Sequence, residues 1–254
     1  MRRTGFRFAE SGGDRFLSAH LSNSQYNRLV WGVYPLLRRV GSLAGVSKPR
    51  EAEADRVLGE EWGTRAWVDE ILEQFLFPYV FEESIVGEIG VGGGRIAARV
   101  ARRVGMLYCF DLSAGMLGKA RAALAGFDNT RFVLLKRPTC PPNLLASLDF
   151  VYAFDVFVHF DLHTTWEHVR LMRDMLKPGG KALVHVANLK APLGWERFSQ
   201  QKGFSVGGLY WLSPEMVAIL ADRAGFSLVS GSTPDPSNEY LNRDYFAVLE
   251  KHIG

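Results

Sequence analysis

The chain has 254 residues, 47% of them hydrophobic and 22% charged, with a net charge of +3. That is enough apolar residue to bury a full core, and far less basic than a dedicated nucleic-acid binder. Its two cysteines, Cys109 and Cys140, form neither a spaced metal set nor a disulfide framework. No apolar stretch follows Arg2 and Arg3, and no run approaches about 18 uncharged apolar residues, so neither a secretory leader nor a membrane span is expected and a cytoplasmic setting is the simplest.

In chain order, residues 1–83 show no strand alternation, and helical spacing over 22–39, 49–59 and 63–75 predicts an N-terminal helical cap. In its first helix Tyr26, Trp31 and Tyr34 can share one face, a pattern more often found in a core than in a pocket. From residue 84 apolar strands near 84–89, 106–110, 131–135, 150–154 and 181–186 alternate with helices, which predicts a parallel sheet covered on both faces. Arg95, Arg99, Arg102 and Arg103 follow the first strand at a spacing that fits a solvated helix face opposite Ile96 and Val100. Ser213 before Pro214 and Glu215 starts a helix that ends near Gly225. Two further strands follow, near 226–229 and 245–249.

The most informative stretch is Glu88, Ile89, Gly90, Val91, Gly92, Gly93, Gly94, on the turn between the first strand and the first helix after it. Glycines there let the backbone take positive φ and let a ligand approach, while the helix start offers unpaired N–H groups. A dinucleotide loop of the G-x-G-x-x-G type would want glycine at 95, where this chain has Arg95. Glu88 would repel a pyrophosphate but suits an ammonium group, so the ligand is expected to carry an amine. A nicotinamide-dependent oxidoreductase is the weaker alternative.

The motif resembles the acid-x-Gly-x-Gly-x-Gly loop of the class I S-adenosylmethionine-dependent methyltransferases. Two further motifs are similar to that family in order and spacing: Asp111-Leu112-Ser113 with Met116 after the second strand, and Leu176-Lys177-Pro178-Gly179-Gly180 before the fifth. The resemblance implies an α/β, Rossmann-like fold of seven mostly parallel strands, the last inserted antiparallel, with helices on both faces. Residues 1–83 would form the helical cap and 84–254 the cofactor-binding domain, with a substrate-loop insertion at about 187–212.

The resemblance also implies S-adenosylmethionine as cofactor and S-adenosylhomocysteine as product. Glu88 would hold the amine, Gly90, Gly92 and Gly94 would admit the methionine and ribose, and Asp111 would take the ribose hydroxyls. Leu112 and Met116 would flank the adenine, and Asp155 and Tyr26 would make further cofactor contacts. Where the family usually has an acid after the third strand, this chain has Lys136, Arg137 and Pro138. The motif of base N-methylating enzymes and the cysteine pattern of arsenic methyltransferases are both missing.

Ligands of open α/β sheets lie across the carboxyl ends of the strands, so acceptor residues are sought after strands four and five. His159 is the leading candidate for a general base, because imidazole titrates near neutrality; Asp155, His163 and Asp161 are the alternatives. Asn188, Trp195, Phe198 and Tyr210, with Phe204 and Trp211, read either as a substrate lid or as a small satellite core. The expected activity is methylation of a small molecule, most simply at a hydroxyl of a sugar or secondary metabolite. N- or C-methylation, or cofactor binding without catalysis, are alternatives. No metal, nucleic acid or membrane is expected to take part, and the protein is expected to be a monomer or homodimer.

Overall fold

The computed structural model describes residues 21–23, 25–33, 63–201 and 208–253. The expected helix over 49–59, Tyr34, Phe204 and most of the N-terminal cap lie outside these residues. Helix α1 covers residues 25–33, with Asn23 in its first turn. Beyond it come α2 (Arg65–Phe75), β1 (Ile85–Ile89), α3 (Ala97–Val100), β2 (Met106–Asp111), α4 (Ala114–Ala123), β3 (Thr130–Leu134) and β4 (Leu148–Ala153). The chain continues through α5 (Leu162–Met175), β5 (Leu176–Asn188), α6 (Pro192–Gln200), β6 (Trp211–Leu212), α7 (Pro214–Arg223), β7 (Phe226–Gly231), α8 (Glu239–Arg243) and β8 (Asp244–Lys251).

One sheet runs in the order β3-β2-β1-β4-β5-β8-β7, with the two-residue β6 paired to the end of β5. β1 to β5 are parallel, and β8 lies antiparallel between β5 and β7. The seven expected strands are present, and β6 is an addition that sequence reading did not separate from its loop. β5 begins earlier than expected. Leu176 pairs with Leu148 and Lys181 with Phe150, so Lys177 to Gly180 bulge out of the ladder rather than preceding it. Gly179 takes a φ of +72° within that bulge.

Alternation along the strands splits the core into two layers. Cys109, Tyr152, Leu183 and Val248 face α2, α3, α4 and α8, whereas Phe110, Val151, Val184 and Ala247 face α5 and α7. α2 lies before the expected boundary at residue 83, yet Val68, Ile71, Leu72 and Phe75 belong to the first of these layers. Its start is fixed by the Thr64 side chain, which accepts the Trp67 N–H. The helix is therefore a structural part of the sheet's own core, not an appendage on it.

Of the arginines after the glycine loop, Arg102 and Arg103 are exposed as their spacing predicts, whereas Arg95 is buried and Arg99 is largely covered. Regular helix is confined to Ala97–Val100; the Arg95 carbonyl accepts the Arg99 guanidinium at 2.8 Å, and the Arg99 N–H bonds the Ile96 carbonyl. Arg99 pairs with Asp69 at 2.8 Å and Arg103 with Glu73 at 2.7 Å, and the Arg103 guanidinium lies 4.1 Å from the Phe77 ring centroid. Arg99 and Arg103 thus tie α2 to α3 and the turn that follows it.

Phe75 is buried and stacks on Phe246 of β8 with ring centroids 6.0 Å apart. Phe75→Ala is expected to cost about 3–5 kcal/mol in urea unfolding, the range for emptying a packed aromatic site. A loss below about 1 kcal/mol would show α2 to be dispensable to the core.

Candidate active site

The glycine loop is pinned to the end of β2, since the N–H groups of Gly90 and Val91 both donate to the Phe110 carbonyl, at 2.8 and 3.0 Å. Gly90 has a φ of +74°, and a Cβ there would lie 2.4 Å from Val156, so the loop after β4 presses directly on this residue. Gly92 differs: its φ is +53° and a Cβ would meet nothing within 4 Å, leaving its backbone bare toward open space. Gly94 does not line that space. Its missing Cβ instead admits the backbone of Ala120 on α4, at 3.3 Å.

Above the loop lies a cavity of about 1110 Å³, open mouth included, across the carboxyl ends of β1, β2 and β4. Glu88, Gly90, Gly92, Asp111, Leu112 and Met116 line it, as do Asp155 and His159. Glu88 is 1% exposed, lies beside Tyr152 in the sheet and accepts its hydroxyl at 2.7 Å. Burial pushes the Glu88 carboxyl up from an ordinary 4.5 to about 8, opposed by the Tyr152 hydroxyl and the charge of Arg95 and reinforced by Asp111. Asp111 accepts the N–H groups of Gly92 at 3.0 Å and Ser113 at 2.8 Å. These bonds oppose the burial that raises its carboxyl above the usual range.

This donor set fits S-adenosylmethionine. A buried carboxyl held protonated by desolvation gains most from an ammonium partner, a second acid beside the loop suits vicinal hydroxyls, and the open patch at Gly92 admits backbone contact. Leu112, Met116 and Leu135 supply apolar surface toward β3, where Lys136, Arg137 and Pro138 complete the wall in place of an acid.

Asp155 is not available as a base. Its φ of +56° turns its carboxylate onto the Arg95 guanidinium at 2.5 Å and the Tyr240 hydroxyl at 2.6 Å. Arg95, read from sequence as solvated, is 5% exposed and lines the cavity. Behind Asp155, its N–H donates to His185 Nδ1 at 3.0 Å, which leaves Nε2 to donate to Asp244 Oδ2 at 3.0 Å. Arg243 caps the chain by pairing with Asp244. Sequence reading missed Tyr152, Tyr240 and the His185–Asp244–Arg243 chain, because only the fold brings β4, β5, α8 and β8 to one point.

His159 closes a 3₁₀ turn after β4. Burial holds its imidazole below the ordinary value, against the charge of Asp155 and a hydrogen bond to the Gly208 backbone, so it is neutral near pH 7. Trp31 packs on it at 5.4 Å, and its carbonyl accepts the side-chain amides of Asn23 and Asn27 at 3.1 and 3.2 Å. On the other side of the cavity Arg28 donates to the Lys136 carbonyl. α1 thus bridges the loops after β3 and β4, presenting Asn27, Arg28 and Trp31 to the cavity. Tyr26, expected to touch the cofactor, is buried off that face and does not line the cavity.

Several other expected residues lie elsewhere. His163 is exposed on the first turn of α5, outside the cavity lining, and Asp161 caps that helix by accepting the Thr164 N–H at 2.7 Å. Asn188 is buried and accepts the Lys190 N–H, closing a turn. Trp195 and Phe198 are 57% and 40% exposed and make ring contacts with each other, and Phe198 with Trp211, as a satellite aromatic cluster. Tyr210 donates its N–H to the Val158 carbonyl at 2.9 Å. The described part of the 187–212 segment therefore buttresses the His159 turn from behind, and none of its residues lines the cavity.

Among the described residues no group of three His, Cys, Asp or Glu could hold a metal ion, and no helix is long and apolar enough to cross a membrane.

Residues 86–180 match the methyltransferase domain family. Magnesium protoporphyrin IX methyltransferase from Synechocystis PCC 6803 with bound S-adenosylhomocysteine is similar at 14% identity and a TM-score of 0.63, over 91% of this chain and all of that one. The [4+2]-cyclase SpnF is similar at 16% identity and a TM-score of 0.64, over 92% of this chain and 98% of that one. A SAM-dependent methyltransferase from Methanosarcina mazei is similar at 13% identity and a TM-score of 0.58, over 70% of this chain and 97% of that one. No curated protein sequence matches the chain.

The raised Glu88 carboxyl has a consequence for stability. A folded-state value near 8 against 4.5 unfolded means that its contribution is complete below 4.5 and is lost as pH rises toward 8. Each tenfold difference in proton affinity corresponds to about 1.4 kcal/mol. Glu88→Gln keeps an oxygen for the Tyr152 hydroxyl and removes the titration. Thermal unfolding of the cofactor-free protein from pH 5 to 9 is expected to show the variant gaining on wild type as pH rises; parallel curves would mean that Glu88 is ionised throughout.

Proposed function

We propose that the chain is a class I S-adenosylmethionine-dependent methyltransferase that methylates a hydroxyl of a small, largely apolar acceptor, with His159 as general base. The observation that carries this reading is a neutral imidazole lining the same cavity as Glu88, Gly92 and Asp111. When bound, the cofactor supplies an electrophilic methyl carbon on a sulfonium. His159 would take the proton of the acceptor hydroxyl as its oxygen is methylated, leaving the methyl ether and S-adenosylhomocysteine as products.

What this chain contributes is alignment and exclusion of water. Glu88 would hold the cofactor's amine and Asp111 its ribose hydroxyls, and the bare backbone at Gly92 would let it lie against the loop. The Arg95–Asp155 pair holds the floor between cofactor and acceptor. α1 covers the cavity from above, with Trp31 setting the plane of the His159 ring. A small-molecule acceptor is also favoured by what the arginine row does: Arg99 and Arg103 are occupied with α2 and offer no basic trough for a nucleic acid.

Calorimetric titration tests the cofactor half of this reading. Wild type is expected to bind S-adenosylmethionine and S-adenosylhomocysteine at micromolar Kd, and Asp111→Ala to bind at least about tenfold more weakly, the loss of one charge-assisted contact. For the base, His159→Gln is expected to leave both Kd values within about twofold and to lower kcat on any accepted hydroxyl compound by about 10²–10⁴. Turnover at the wild-type rate would remove His159 from the role, and absence of cofactor binding to folded wild type would overturn the whole reading.

A further inference from the structure

A second histidine, His168, lines the same cavity. It lies on α5, one turn beyond Thr164, whose backbone carbonyl faces its Nδ1 at 2.8 Å. A carbonyl can only accept, so Nδ1 carries the proton and donates, and Nε2 is left as a lone-pair acceptor on the ring edge turned away from the helix backbone. Among the described residues nothing else bonds the ring. The imidazole packs at 4.5 Å on Phe160 and at 5.9 Å on Phe157, which fixes its orientation.

Burial holds this imidazole neutral down to about pH 4, with only the Thr164 bond opposing it. At neutral pH the cavity therefore presents two uncharged imidazoles. His159 is tied to the Gly208 backbone and packed on Trp31, and His168 is tied to Thr164 and packed on Phe160. Beside them in the lining stand Asn27 and Asp155 together with Trp31, Val156 and Phe160, and the flat or apolar surfaces of the last three favour a ring over a hydrated sugar.

We propose that His168 is a second hydrogen-bond acceptor for the molecule being methylated: its Nε2 takes a bond from one hydroxyl of a dihydroxylated aromatic acceptor while His159 takes the proton of the other. This deepens the proposed function and rests on it. A single-hydroxyl ring would cover this acceptor without giving it a donor, at a cost to affinity. The arrangement therefore selects for two hydroxyls, as sites built to hydrogen-bond a hydroxyl reject analogues that lack it.

The test uses full-length protein labelled with ¹⁵N-histidine and saturated with S-adenosylhomocysteine, whose binding is established first. Phenol, catechol and resorcinol are then titrated in. Before addition His168 is expected to show a protonated Nδ1 and an unprotonated Nε2. Catechol or resorcinol is expected to move the Nε2 resonance saturably, and one of the two is expected to bind at least about tenfold more tightly than phenol. His168→Phe, with S-adenosylhomocysteine affinity unchanged, is expected to reduce that preference to within about twofold. An Nε2 already protonated, saturable binding of the diols that leaves Nε2 unmoved, equal affinity for phenol, or no binding of any of the three would each overturn the inference. The wild-type spectra decide it even if the variant does not fold. Failure to bind S-adenosylhomocysteine would instead overturn the cofactor reading, and this inference with it.

Discussion

The ion pair between Arg95 and Asp155 is the constraint on which the site is built. Both side chains are largely removed from water, and the carboxylate also accepts the Tyr240 hydroxyl. Removing two charges from water costs several kcal/mol per ion, and a well-packed apolar pair is often as stable or more so. What this pair supplies is geometry. It fastens the residue after the glycine loop to the second residue after β4, across the point where β1 and β4 lie side by side. It does so with Asp155 in a left-handed conformation that costs of order 1 kcal/mol for a non-glycine residue. Once Asp155 is turned, Val156 is driven against Gly90, and the cavity floor follows from that contact.

The same constraint separates the roles of three carboxylates within one small region. Asp155 has cationic and hydroxyl partners and serves as a counter-ion. Asp111 accepts backbone N–H groups from the glycine loop and from the start of α4, so it faces the cavity with its direction fixed. Glu88 has mainly a tyrosine hydroxyl and a wall of apolar neighbours, including Cys109, whose thiol is itself pushed far up by burial and by Glu88. Of the three, Glu88 is the one whose environment is incomplete without a cation, and it lines the cavity. A site that lacks part of its own electrostatic partner set is arranged for a ligand that brings it.

The parts of this architecture that depend on local pattern are legible in the sequence. Strands β1 to β5 show as apolar runs, the glycine loop announces the strand-to-helix turn, and Ser213 stands at the helix start that it caps. What could not be read is what depends on long-range juxtaposition. The sequence pattern of Arg95, Arg99 and Arg103 fits a solvated face; only the fold shows that Asp69 and Glu73 on α2, at the same spacing of four, meet Arg99 and Arg103, and that Arg95 turns inward. That matched spacing was a usable signal. Nothing local distinguishes Tyr240 from a core tyrosine, or His168 from a histidine on a helix surface, because the cavity they face is closed by elements far away in the chain. Conversely the aromatic density around Trp195 and Phe198 fits a substrate lid and a satellite core alike, because density does not reveal direction.

The acceptor side of the cavity depends on two supports that reach it from opposite ends of the chain. α1 holds the His159 turn from above through Asn23 and Asn27 on the His159 carbonyl, and the segment entering β6 holds it from behind through Gly208 and the Tyr210 N–H. Neither support contributes the base itself. Because Arg28 of the same helix bonds the Lys136 carbonyl at the far wall, any movement of α1 that opens the mouth breaks contacts at the β3 and β4 ends together. The two supports divide the work: α1 fixes the backbone of the His159 turn and lays Trp31 against its ring, while the Gly208 backbone bonds the imidazole itself, so the base is held at both its carbonyl and its ring.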